Sequence, residues 1–497
     1  MSGRRFLIAL GGALFLVVLV RTAWLSELSY LTLRTIEHAA TGHGLRWNVS
    51  ERVQVFDHPA WMGILLAGRV ITGESYYTTF AVSLALSAAT AVLVLRSAPR
   101  TEGVVLGTLM LALSWAIVTF STSGLEGPLA HLLVISFCLA SLSERPASLR
   151  VTAGLAGLAA LTHVSTLLIT LPPLIAASNR GERRGRDRSS TVFLLVGGPL
   201  LAWMAFATFY YGTPVPMPLI AEWTEHAGLA SRVHAGARMF AFVLRQDPIT
   251  LAIVSGALVL GLGREGDRTR PLAWGVASYI VILSIWAGDG MAGRWLTLPC
   301  VVSVLMIVRH PAVAQPRVFA AVVAAAMTLA TIPALATIES DVRFGTRSQT
   351  SDSRDPRISD YRATGLLLDI RQWYPPQHPE AIRGGVAWQD TNRVKTSSHP
   401  AFFGFAAGYG VHVVDRTGRT DPLLARLPPN GKVLFPAGAA RRLPEGYESS
   451  LPNRENRIAD PALATYYDRL RLVTRGPLAD PWRVFATVRN LAGRGPS

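Results

Sequence analysis

The 497-residue sequence predicts a mostly α, polytopic membrane protein with about eleven transmembrane helices, followed by a small α/β domain outside the membrane. Three observations carry this. Eleven apolar segments fill residues 6–337. The arginine clusters between them fall on alternate connections, as the bias of cytoplasmic loops toward Lys and Arg requires. Half of the residues are hydrophobic, mean hydropathy is +0.32 and only 16% are charged, where a soluble domain carries about a quarter. The net charge of +16 resides in short arginine loops and is not a nucleic-acid footprint. Cys138 and Cys300 sit within apolar runs, which argues for two buried thiols and against a disulfide framework.

Taken in order, Arg4 and Arg5 precede an apolar run from Phe6 to Val20, and the chain continues Arg21-Thr-Ala-Trp-Leu without a small-residue cleavage site. This reads as an uncleaved first span, 6–22, entering from the cytoplasm. A span needs about 20 apolar residues. The mixed segment 23–76 is an outer loop, and its apolar stretch 60–72 is an interfacial helix. Further spans are expected at 77–95, 102–120, 127–143, 149–162, 164–178, 191–210, 248–263, 272–287, 294–309 and 317–337. The stretch 149–178 reads either as two short helices or as one kinked helix, and only two spans keep the Asn179–Arg188 loop inside. Arg96 with Arg100, Arg145 with Arg150, the Arg264–Arg270 run and Arg309 with Arg317 then all come out cytoplasmic.

The membrane domain is placed at 1–338 and an extracytoplasmic domain at 339–497, where Arg, Asp, Pro and Gly rise. That tail is long enough for its own small core. It holds a strand-like Gly410–Asp415, a turn Arg416-Thr-Gly-Arg419 and a helix-like Asp421–Arg426, with Asp421 as N-cap and Pro422 at the first helical position.

Three outer segments carry polar residues that a loop does not need: 26–61, Ser121–Glu126 and Gly288–Arg294. Together they offer a carboxylate base, guanidinium groups for a phosphate and aromatic faces for a sugar. A sugar transfer from a lipid phosphate needs those parts. The plainer alternatives stand beside these. Trp24, Trp61 and Trp286 also read as membrane-belt anchors. Glu27 also reads as a solvated carboxylate, Asp289 with Arg294 as a structural ion pair, and His163 as a hydrogen-bonded packing residue. No zinc-ligand spacing, P-loop or nucleophile elbow is present.

Several stretches in order are similar to a known group. They are Leu31–Thr35, Gly44–Asn48, Glu51–Gln54, His58-Pro59, Ser123–Glu126, Tyr210–Gly212, Gly288-Asp289 with Gly293-Arg294, Asp421–Pro428, Pro444–Tyr447 and Tyr466-Tyr467. The set resembles the GT-C membrane glycosyltransferases of the terminal β-(1→2)-arabinofuranosyltransferase type. The flagellar motor control protein ZomB is similar to the same group. The resemblance implies an inverting transferase of the inner (plasma) membrane. It would use a polyprenyl-phosphate sugar donor, such as an arabinofuranosyl one, and an envelope glycan acceptor, with a periplasmic active site and a catalytic carboxylate just after the first span. This chain departs from the pattern at Glu27-Leu28, where the family usually has Asp-Asp. It also departs at Asp57, commonly Thr, at His163-Val-Ser165, commonly Arg-Pro-Asp, and at Met217-Pro218, commonly Asn-Thr.

On this reading Glu27 or Asp57 is the general base. Arg34, Arg52 and Arg294 are phosphate clamps, Trp47 is a sugar platform, and His58, Glu126 and Asp289 contact substrate. No metal ligand set is assigned: Asp289 with Glu126 offers a Mg²⁺ site, and a metal-free mechanism is equally allowed. The alternative is a non-catalytic relative with an assembly or motor-associated role. A transporter fits less well, because the spans hold few ionisable residues.

Overall fold

A computed structural model describes residues 2–143, 148–179, 185–225, 228–263, 268–286, 293–329, 379–389, 391, 393–397, 399–430, 439–453 and 455–492. The protein is mostly helical. The apolar runs fold as α1 (Ser2–Thr22), α3 (Pro59–Thr72), α4 (Tyr76–Ser97), α5 (Thr101–Leu113), α6 (Trp115–Phe120), α7 (Gly127–Leu142), α8 (Leu149–Thr162) and α9 (Thr166–Asn179), with α2 (Glu27–Ala40) in the outer loop. Then come α10 (Gly185–Val192), a π turn at Phe193–Gly197, α11 (Gly198–Tyr211) and α12 (Met217–Thr224). They are followed by α13 (Leu229–Gln246), α14 (Pro248–Leu262), α15 (Arg270–Trp286), α16 (Thr297–Arg309) and α17 (Pro316–Leu329).

Among the described residues, three helices are long and apolar enough to cross a membrane, Gly3–Thr22, Tyr76–Ser97 and Ser189–Tyr211. A fourth is counted if α13 and α14, bent by 109°, form one broken span. Their exposed faces are apolar, with Phe6, Leu10, Leu14 and Val17 turned outward on α1. Such a stripe is suited to lipid contact. At the centre lies α16, buried from Thr297 to Val308 and packed against α4, α5, α7 and α14. The α8 backbone approaches the π turn closely, and Gly157 is required there: a Cβ would lie 2.0 Å from the Leu195 carbonyl oxygen.

The segments 149–162 and 164–178 form two helices, broken at His163, whose extended backbone (φ −159°) ends α8. The expected span 102–120 is broken at Ser114. Ser114 caps α6 through the Ile117 N–H at 3.2 Å, and its hydroxyl meets Thr250 at 2.6 Å. Buried Asp247 accepts from the Ala116 N–H at 2.8 Å, which ties this break to the α13–α14 bend. The amphipathic helix α13 was not expected from sequence. Arg232, His234, Arg238 and Arg245 interrupt any apolar run there.

At one end of the bundle Arg4 donates to the Arg96 carbonyl at 2.8 Å and the Ala98 carbonyl at 2.5 Å, and Arg309 reaches the Ser97 carbonyl at 3.5 Å. Three arginine-bearing ends therefore gather together. The other end carries α2, the 121–126 loop and the tail.

In the tail come α18 (Pro379–Ala387), β1 (Val394–Ser397), α19 (Pro400–Ala407) and β2 (His412–Asp415), then α20 (Tyr447–Asn453), α21 (Pro461–Arg475) and α22 (Pro481–Ala492). The strands pair in parallel, Val394 with His412 through Ser397 with Asp415. Asp421 caps a short 3₁₀ turn, Leu424–Arg426, accepting from the Leu423 and Leu424 N–H groups at 2.9 and 2.8 Å. Its second oxygen accepts from Tyr447 at 2.8 Å, and Tyr447 packs edge-on against Tyr467. Burial, with Glu51 nearby, pushes the Asp421 carboxyl up to about 7. This core also holds Val414, Leu423, Leu451 and Leu470. A second cluster is shared with the outer loop: Tyr30, Leu33, Trp47, Val53 and Phe56 pack with Phe402, Phe403, Val411 and Val413.

Candidate functional site

Four of the expected site residues meet on the face that bears the tail. Asp57 and His58 close the extended segment before α3, whose first residue is Pro59. A residue before proline is held out of the helical region, which fixes the direction of this pair. Glu126 is the N-cap residue of α7. Its loop is docked by the Ser26 N–H on the Ser123 carbonyl at 2.9 Å and by Trp61 Nε1 on the Gly124 carbonyl at 3.0 Å. Gly124, at φ +78°, leaves room for Ser29, whose side chain would meet a Cβ at 2.7 Å. Arg294 opens the turn before α16 and donates to Glu126 Oε1 at 2.7 Å.

His58 joins the two carboxylates. Its Nδ1 lies 2.8 Å from Asp57 Oδ1 and 3.5 Å from Glu126 Oε2. Its Nε2 lies 2.9 Å from the Thr32 hydroxyl. With Nδ1–H facing two acids, Nε2 is the acceptor from Thr32. The fifth member is His163. Its Nδ1 accepts from the Ser165 N–H at 3.3 Å, so the proton sits on Nε2, 3.7 Å from Asp57 Oδ2. That separation is longer than a hydrogen bond. Asp57 Oδ2 thus has unfilled capacity, as does Glu126 Oε2; the Asp57 side chain is 45% exposed and that of Glu126 7%, so Asp57 is the one a ligand reaches.

Desolvation on its inner side works against the Asp57 charge, but the neighbouring His163 and His58 rings outweigh it and hold the carboxyl well below its usual range. For Glu126 burial is again opposed, chiefly by Arg294 and then by the two histidines, and its pKa falls. Burial alone lowers a histidine pKa; at His163 the Asp57 carboxylate overcomes it and the pKa rises. A small cavity of about 30 Å³, lined by Glu126, His163, Ser165, Arg294 and Trp295 among others, lies beside the cluster. It is large enough for a water or two.

From sequence His163 reads as a hydrogen-bonded packing residue; the structure places it beside Asp57. The available signal was its place at the break between two apolar runs on the same side as the three outer segments.

The other expected residues are elsewhere. Arg34 is 1% exposed, donates to the Val411 carbonyl at 2.7 Å and the Gly408 carbonyl at 3.2 Å, and lies over the Trp47 ring at 4.6 Å. Trp47 is fully buried. Arg52 donates to the Tyr210 carbonyl at 3.1 Å and to the Val473 and Gly476 carbonyls. These three fasten the tail to the outer loop, which corrects the reading of Arg34 and Arg52 as phosphate clamps and of Trp47 as a sugar platform: a side chain enclosed on backbone carbonyls or by apolar neighbours presents no face to a ligand. Glu27 makes none of the cluster's contacts; its Oε2 lies 3.5 Å from His399 Nδ1 of the tail. Asp289 lies outside the described residues, so the Asp289–Glu126 metal pair is left without a geometry. Among the described residues no group of three or more His, Cys, Asp or Glu is arranged to hold a metal.

Comparison of the chain with family models, curated proteins and solved structures found no match.

Proposed function

We propose that the protein is a polytopic GT-C glycosyltransferase with eleven spans, a cytoplasmic N-terminus and a periplasmic tail. It moves a sugar, with arabinofuranose the first candidate, from a polyprenyl phosphate to an envelope glycan. The observation that carries the reading is the five-residue recess on the tail-bearing face, where Asp57 keeps one carboxylate oxygen open. The gathering of Arg4, Arg96 and Arg309 at the opposite end supports the orientation, because that end then lies in the cytoplasm.

In this mechanism the acceptor hydroxyl binds at Asp57 Oδ2 and its oxygen attacks the anomeric carbon. The bond from that carbon to the phosphate oxygen breaks, and polyprenyl phosphate leaves with the bond's electrons. The hydroxyl proton passes to Asp57. A carboxylate of depressed pKa is a weak base in the ground state. It suffices where the attacking hydroxyl becomes strongly acidic late, as it does against an oxocarbenium-like centre. His58 and His163 hold the carboxylate in register, and Glu126 holds Arg294 beside it. Asp57 thereby stands in for the acid absent at Leu28.

The test is transfer from a radiolabelled polyprenyl-phosphate arabinofuranose to an oligosaccharide by the reconstituted protein. Transfer that is lost in Asp57→Asn while the protein stays folded supports the proposal; transfer undiminished in Asp57→Asn sinks it.

One observation favours the second reading, a non-catalytic relative with an assembly or motor-associated role. The guanidinium groups of Arg34 and Arg52 are buried against backbone carbonyls where the tail meets the outer loop, and Arg294 is neutralised by Glu126. On that reading the protein neither binds the donor nor transfers the sugar.

A further inference from the structure

A groove of about 960 Å³ runs between the first outer loop and the tail, near the upper end of small-molecule sites in size. Its charge is one-sided. Arg46, Arg393, Arg471 and Arg475 line it against a single lining carboxylate, Asp468. Asp468 pairs with Arg471 at 3.3 Å, and Glu51, behind the wall, pairs with Arg475 at 3.4 Å. Four cations thus face two anions, and exposed Arg393 has no carboxylate partner among the described residues.

The wall also offers a directed donor. Asn48 Oδ1 accepts from the Val413 N–H at 2.9 Å, which fixes the amide and turns Nδ2 toward the Val413 carbonyl at 3.1 Å and His412 Nε2 at 3.3 Å. His412 therefore carries its proton on Nδ1 and donates to the Ser50 hydroxyl at 3.0 Å. Burial keeps the ring neutral, with its pKa lowered to about 4. Ser50 accepts at this contact, so its own hydrogen is left to donate into the groove. At the rim Tyr409, 53% exposed, is stacked on His43 at 4.8 Å, which leaves its other face open.

We propose that this groove binds an anionic oligosaccharide. Its acid groups pair with the arginines, a hydroxyl accepts from Ser50, and a ring's C–H face lies on Tyr409. The volume exceeds a lone phosphate many times over, and a flat aromatic beside a hydroxyl donor suits sugar rings better than a peptide. As the acceptor of the proposed transfer this ligand rests on that reading; the binding itself does not. Binding without transfer would leave the groove standing, and transfer without binding would remove only the groove.

The experiment uses the full chain in nanodiscs of zwitterionic lipid with fluorescently labelled tetragalacturonate. Binding should weaken steeply with added salt. It should fall about tenfold in Arg393→Glu, the scale of one lost charge-assisted pair, and several-fold in Tyr409→Ala; both side chains are exposed, so the fold is retained. Neutral maltotetraose should bind at least tenfold more weakly. The proposal is overturned by equal binding of the neutral sugar or by unchanged affinity in Arg393→Glu. It is equally overturned by competition at matching concentration from inorganic phosphate, tetraglutamate or phosphatidylglycerol vesicles, which would mark a simple anion, peptide or headgroup site.

Discussion

Two regions of the same outer face use the same kinds of residue to opposite ends. In the seam around outer loop and tail, Arg34 Nη2 donates to the Val411 and Gly408 carbonyls, Arg52 donates to those of Tyr210 and Val473, and Trp47 is enclosed. In the recess, charged groups face each other: Asp57 with two histidines, Glu126 with Arg294. A guanidinium on backbone carbonyls is a fastener. A carboxylate held between proton-bearing rings, with one oxygen open, is equipped for chemistry. Sequence spacing alone did not separate the two.

The comparison is broken most severely at the seam. Arg52→Ala removes donors from two tail carbonyls, Val473 and Gly476, and from that of Tyr210, and should cost about 3 kcal/mol, the range for stranding buried polar groups. Melting temperature and protease sensitivity of the tail check it. Unchanged values would mean that the seam holds nothing. In the recess, Asp57→Asn should lower transfer by about 10²-fold, the scale of a general base, while shifting stability far less than Arg52→Ala does. Glu126→Gln leaves Arg294 with a neutral partner and should lower both, stability by about 1–2 kcal/mol, read by denaturant unfolding. Glu27→Gln is the mildest. Its contact with His399 is partly exposed, so about 0.5 kcal/mol is expected, with transfer nearly unchanged.

Acidity sharpens the contrast. The Asp57 pKa is depressed below its ordinary 3.8, so its contribution to stability is present above that value and lost as pH falls through the folded pKa. The His163 pKa is raised above 6.5, so its contribution is full below 6.5 and lost as pH rises through the folded pKa. The pair should therefore stabilise the recess most between about pH 4 and 6.5. Melting curves against pH should show that plateau in the wild type and lose both flanks in Asp57→Asn.

Much of this was legible in the sequence because it is local. Apolar runs, Pro59 opening a helix, Asp421 capping a turn and the strand at His412–Asp415 each depend on neighbours along the chain. The meeting of Asp57, His58, Glu126 and Arg294 was legible in outline, since all lie just beyond apolar runs on one side. What was not legible joins distant positions. Arg34 finds Val411 and Arg52 finds Val473, each across more than 370 residues of sequence, and no spacing rule reaches that far. The amphipathic α13 was hidden because its charges cancel the apolar signal, and His163 because a histidine between two apolar runs most often packs.

The most direct measurement is sugar transfer by reconstituted wild type, Asp57→Asn and Glu27→Gln side by side, with melting temperature recorded for each. The account expects transfer in the wild type, near-wild-type transfer in Glu27→Gln and a loss of about 10²-fold in Asp57→Asn, whose melting temperature shifts far less than that of Arg52→Ala. Transfer abolished in Glu27→Gln and retained in Asp57→Asn would contradict it and move the active site from the recess to the α2–tail contact.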